Sequence, residues 1–141
     1  MKKAILIGIA GLVLIGAIWF YFNQNQDTTF GEVYESVFNG SDISEVVIEE
    51  KLKNNFNSEN EQVLDVAEFK EIIEQSSDMR LKESDMPPLN TYEMTIYYTH
   101  NGEEKMTAIV VGYNNTLQMV DGKFYTIESR NSLFELIYQE L

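Results

Sequence analysis

Few side chains in this sequence have the type and spacing that chemistry asks for. His100 is the only imidazole among 141 residues and there is no cysteine. That excludes thiolate nucleophiles, thiolate metal sites, disulfides and a lipid-modified cysteine together. A histidine acting as a general base needs an oriented partner. His100 stands beside Asn101-Gly102, a turn signal, and reads as a solvated residue at a hairpin tip. Carboxylates are abundant: Glu49-Glu50, Glu59 with Glu61, and Glu103-Glu104 all lie close together in the chain. Glycoside hydrolysis needs two such groups about 5 to 9 Å apart. With 23 acidic residues in the chain, close pairs arise by chance, so these read as solvated surface. No stretch matches a calcium loop, a zinc helix, a nucleophile elbow, a phosphate loop or a dinucleotide fingerprint. The expectation is a non-catalytic protein with no cofactor and no metal.

The other chemistry on offer is recognition. Eight tyrosines supply flat apolar area with a hydroxyl at the rim. Tyr97, Tyr113 and Tyr125 are the candidates for an interaction surface, Tyr97 because it falls on the polar face of its strand.

These residues have to be positioned by one domain. Ala4 to Phe22 is a run of 19 uncharged residues, about 28 Å as a helix, close to the ~30 Å hydrocarbon core of a bilayer. Lys2 and Lys3 precede it, and Trp19, Phe20, Tyr21 and Phe22 close it with rings suited to the membrane–water interface. The small-residue pattern of a cleaved signal is missing at the expected cut, so residues 1–22 read as an uncleaved signal anchor with the C-terminal part outside the cell. Without Lys2 and Lys3 the remainder carries a net charge of −15, which repels nucleic acid. The expected partners are the membrane, through the anchor, and a protein.

Residues 23–29 read as a polar linker and 30–141 as an extracytoplasmic α+β domain. Phe30, Val33, Tyr34, Val37 and Phe38 share one face of a helix that Asn39-Gly40 ends. Ile43 to Leu52 reads as a strand. Asp65 and Glu68 cap a second helix, marked by Val66, Phe69, Ile72 and Ile73 and ending near Ser76-Ser77, and Met79 with Leu81 marks a short strand. Tyr92, Met94, Ile96 and Tyr98 alternate along the clearest strand. A three-residue loop with Gly102 in the bulge position would pair Ile96 with Met106, Met94 with Ala108 and Tyr92 with Val110, keeping that face apolar. A second hairpin turns at Asp121-Gly122, and Ser132 with Glu135 caps a closing helix through Leu133, Phe134, Ile137 and Leu141. Hairpins flanked by helices predict one antiparallel sheet, a meander, with helices packed on one face.

This layout resembles the small membrane-anchored or lipidated extracytoplasmic proteins of Gram-positive bacteria whose domain has no assigned function. The matching features are the Met1-Lys2-Lys3 start, Thr29 to Phe38, Asp65 to Ile73, Tyr92 to Tyr98, Asp121-Gly122-Lys123-Phe124-Tyr125 and Ser132 to Ile137. The resemblance implies a single-pass location at the cell membrane and carries over no catalytic residue. Without a cysteine to lipidate, the anchor is the helix itself. The function expected is a binding or regulatory module contacting another envelope or secreted protein. The alternatives are a carboxylate-based hydrolase acting on envelope polymer, or an inhibitor or self-protection protein.

Overall fold

The computed structural model describes residues 15–16, 27–51, 61–89 and 91–140. Ile15 and Gly16 are helical. The rest of the expected anchor, including Lys2, Lys3 and Trp19 to Phe22, lies outside the described residues, as do Leu141 and the polar segment Asn54 to Asn60. Among the described residues no helix is long and apolar enough to cross a membrane.

The elements follow in the order β1 (Thr28–Thr29), α1 (Phe30–Phe38), β2 (Asp42–Lys51), β3 (Glu61–Leu64), α2 (Val66–Ser76), β4 (Arg80–Ser84), β5 (Thr91–His100), β6 (Glu103–Gly112), β7 (Thr116–Gln118), β8 (Phe124–Ile127) and α3 (Ser132–Glu140). The eight strands form one sheet in the order β1-β4-β8-β7-β6-β5-β2-β3, and every pair described is antiparallel. The fold is α+β, with β5 to β8 as a meander. β2 and β3 extend it on one side and β4 and β1 on the other.

Two strands were not expected. Thr28 and Thr29 pair with Leu81 and Arg80, so the last two residues of the predicted linker belong to the sheet. Thr29 also caps α1: its hydroxyl accepts from Glu32 N at 3.3 Å, and the Glu32 carboxylate accepts from Thr29 N at 3.0 Å. That reciprocal capping box satisfies two of the helix's open backbone donors and fixes where α1 leaves the sheet. β3 pairs with β2 through Val46↔Leu64 and Val47↔Val63.

One face of the sheet carries the core. Leu64, Val46, Ile48, Ile96, Met94, Ile109, Val111, Leu117, Ile127 and Leu81 all lie on it, and all are buried. Phe30 and Phe38 of α1, Phe69, Ile72 and Ile73 of α2, and Leu133 and Ile137 of α3 complete the same cluster. Phe38 meets Tyr98 edge-on at 5.1 Å between ring centres, and Phe134 meets Tyr92 at 5.1 Å, so α1 and α3 both sit on this inner face. Asp65 caps α2 by accepting from Ala67 N at 2.7 Å. The cap of α3 is Asn131, whose Oδ1 accepts from Phe134 N at 3.1 Å, and not the predicted Ser132. Asn131 is buried and its side-chain amide also donates to Gly112 O at 3.2 Å, a tie to the sheet that a serine is too short to make.

The β5–β6 register corrects the expectation of a three-residue loop. His100 pairs with Glu103, leaving Asn101-Gly102 as a two-residue turn with φ of 53° and 80°. Positive φ at both central positions is the hairpin turn whose twist matches the strands, and asparagine followed by glycine is its preferred sequence. Ile96 therefore faces Thr107, Met94 faces Ile109 and Tyr92 faces Val111. The run Ala108 to Val111 is apolar in both alternations, so hydrophobicity alone tolerates either register and the turn chemistry decides. The consequence is that Met106, expected in the core, is on the opposite face and exposed.

Candidate functional site: the open sheet face

The described helices all pack on the inner face of the sheet and leave its outer face uncovered. Its residues follow from the pairing, row by row across β3, β2, β5 and β6. Asp42, Thr99 and Glu104 form the row nearest the hairpin tip, then Glu45, Tyr97 and Met106. Next come Val63, Val47, Thr95 and Ala108, and beyond them Glu61, Glu49, Glu93 and Val110. Strands lie about 4.8 Å apart, so the Val63-to-Ala108 row spans roughly 14 Å. Val63 is 66% exposed, Met106 64% and Tyr97 37%. A largely apolar strip thus crosses four strands, exposed at Val63, Tyr97 and Met106, half-buried at Val47 and Ala108 and interrupted by the polar Thr95, with acidic residues at both of its borders.

Electrostatics on this face are one-sided. Glu49 stands directly opposite both Glu61 and Glu93, an arrangement of like charges that opposes folding. Lys51 offsets it by pairing with Glu93 and, at 3.6 Å, with Glu49. Its ammonium is held above its ordinary value, first by the hydrogen bond to Glu93. Among the described residues, Asp42, Glu45, Glu61 and Glu104 lie in no ion pair.

The three tyrosines singled out by sequence do not form one surface. Tyr97 is on the open face. Tyr113 is exposed just past the end of β6, seven residues beyond the Met106 that pairs with Tyr97, or roughly 24 Å along an extended strand. Tyr125 is a correction: it is 6% exposed and belongs to the core cluster, because the inward positions of β8 are Tyr125 and Ile127. Its hydroxyl reaches Asp121 at 3.4 Å, and burial pushes its phenol above the usual value.

The carboxylate pairs separate for the same geometric reason. Successive residues on a strand point to opposite faces. Glu49 is on the outer face while Glu50, opposite Tyr92, is on the inner one, and Glu103 and Glu104 divide likewise. Glu59 lies outside the described residues. Among the described residues no three acidic or histidine side chains are grouped to hold a metal ion. His100 shares a hydrogen bond of 2.9 Å with Ser41 through Nδ1, which ties the end of β5 to the start of β2.

A concavity lies on the helix side, between α1, α2 and the start of β2. It measures about 590 Å³, and its walls include Tyr34, Phe38, Ile43 and Ile73, with Glu35, Lys70 and Glu74 among its polar groups. Burial pushes the Tyr34 phenol up to about 12.

Sequence reasoning missed Val63 and Met106. Val63 went unnoticed because β3 is only four residues long and follows a polar segment. Met106 was assigned to the core by the one-residue register slip. The signal that finds Met106 is Asn101-Gly102: taking it as a two-residue turn puts Met106 beside Tyr97 at once. No family model, curated protein or solved structure matches the chain.

Proposed function

We propose that this chain is a non-catalytic extracytoplasmic binding or regulatory module, tethered to the membrane by its N-terminal segment, that contacts another envelope or secreted protein through the outer face of its sheet. The observation that supports the reading is the uncovered strip Val63, Val47, Thr95, Ala108, Tyr97 and Met106, because apolar area left exposed on a sheet face marks a docking surface. The membrane setting rests on the apolar run Ala4 to Phe22 and its flanking Lys2 and Lys3, and the Gram-positive envelope on the resemblance in layout. An inhibitor of a toxin or protease is the same module with one enzyme as its partner. A hydrolase acting on envelope polymer would instead draw on Glu35 and Glu74, the two carboxylates lining the helix-side groove.

The test is Met106→Asp in the tagged full chain, crosslinked in the membranes of its source cells. Met106 is 64% exposed, so its replacement should change stability by no more than about 0.5 kcal/mol. Capture of one dominant envelope or secreted protein should fall roughly tenfold or more, the effect of a charge placed in the centre of an interface. Capture equal to that of the native chain would overturn the assignment of this face. Turnover of wall polymer that is lost with Glu35→Gln would favour the hydrolase.

A further inference from the structure

The open face has a dent beside Tyr97. It measures about 280 Å³ and is lined by Ser44, Glu45, Tyr97, Tyr98, Glu104 and Lys105. A bulge in β2 accompanies it: the register shifts between Ile43 and Glu45, and the extra residue, Ser44, donates its hydroxyl to Tyr97 O at 3.1 Å. Bulges re-aim the side chains next to them, and here the next residue is Glu45. Glu45 and Glu104 are in no ion pair among the described residues, whereas Lys105 is paired with Glu103 at 3.7 Å. Glu45, Tyr97 and Glu104, all at outward register positions, thus line one concavity at the end of the strip, together with Lys105, whose register position opposite Tyr98 is inward and whose ammonium is paired with Glu103.

We infer that this dent takes the guanidinium or ammonium group of a basic residue on the protein partner, whose docking surface is therefore cationic around an apolar centre. The inference rests on the binding-module reading and names the partner's chemistry. A cation over a tyrosine ring is attracted by the ring's negative face, and a guanidinium can donate to two carboxylates at once. Charge complementarity selects this occupant over the others. A second copy of the chain would set Asp42, Glu45, Glu61 and Glu104 against their own equivalents, and an anionic lipid surface would face the same carboxylates. A neutral apolar segment would cover the Val63-to-Ala108 row but leave Glu45 and Glu104 desolvated without a counter-charge.

The experiment measures binding of an eight-residue peptide of alternating arginine and valine to the full chain in zwitterionic detergent. The comparison peptide replaces arginine with citrulline, which keeps the shape and removes the charge. The arginine peptide should bind roughly tenfold or more tightly. Glu45→Gln with Glu104→Gln should reduce it to the citrulline level, and Tyr97→Leu should weaken it where Tyr97→Phe does not. Glu68→Gln with Glu71→Gln, on α2, should leave it within about twofold, since those residues act only through the overall field. Equal binding of the two peptides would overturn the inference, as would an equal loss from the α2 pair, because net charge alone would then hold the peptide. If discrimination fails while Met106→Asp still abolishes capture in cells, the docking face stands and the cationic partner is wrong. If the dent discriminates and Met106→Asp captures normally, the inference about the dent stands and the docking reading falls.

Discussion

Phe69→Ala should cost the domain about 3–5 kcal/mol. The ring is completely buried on α2, lies 6.3 Å from the Tyr34 ring, and shares the core with Ile72 and Ile73 one turn further on. Truncation removes the ring's transfer energy and leaves a cavity that the sheet, held by seven antiparallel pairings among the described residues, cannot collapse to fill. A domain of this size is stable by about 5–15 kcal/mol, so the variant forfeits about a fifth or more of its stability, and its unfolding midpoint should drop by roughly 10–20 °C. Urea unfolding of the two chains, followed by far-ultraviolet circular dichroism, reads the difference. A loss under about 1 kcal/mol would mean that α2 does not sit on the inner face, and the assignment of the outer face as the open one would go with it.

Gly112→Val should be almost as damaging, for a steric reason. A Cβ at this position would overlap Asn114 Oδ1 and lie 2.8 Å from Leu89 N and 3.1 Å from Pro88 Cα. The chain from Pro87 to Leu89 runs directly across the end of β6, and it is held there by Asn114, which accepts from Leu89 N at 3.1 Å, and by Tyr113 N, which donates to Leu89 O at 3.3 Å. A side chain must push this strap off and break those bonds. Overpacking and the lost hydrogen bonds together should cost about 3 kcal/mol. Gly112→Ala should already cost more than 1 kcal/mol, because two of the three close atoms are backbone, which cannot rotate away. Near-native stability of both variants, measured in the same urea titration, would remove the strap from its place over Gly112.

How far the sequence could be read depended on which physical signal set each feature. Helical periodicity placed α1 and α2, because an apolar stripe at Phe30, Tyr34 and Phe38, or Phe69, Ile72 and Ile73, has no other economical use. Alternation placed β5, and Tyr97 on its outward side. Two short strands escaped: β1 is two residues and β3 four, too few to show a period, and neither is marked by a tight turn such as the Asp121-Gly122 that reveals the equally short β7 and β8. The candidate site was half legible for the same reason. Tyr97 was visible from its own strand. Met106 depended on pairing, and the continuous apolar run from Ala108 to Val111 left that pairing to a two-residue turn whose backbone preference outweighed the pattern. Tyr125 was misread because tyrosine is equally at home on either side of a sheet, and only the partner strand tells which side is inward.

Site-specific photocrosslinking tests the central claim, that the outer sheet face is where the partner docks. A photoreactive residue is placed in the full chain at position 63 or 106, both on the open face, and at position 68 or 138, both on the helix side. Irradiation of intact source cells should give the same discrete protein adduct from 63 and 106 and none from 68 and 138. Adducts from 68 and 138 alone would contradict the account and move the interface to the helices.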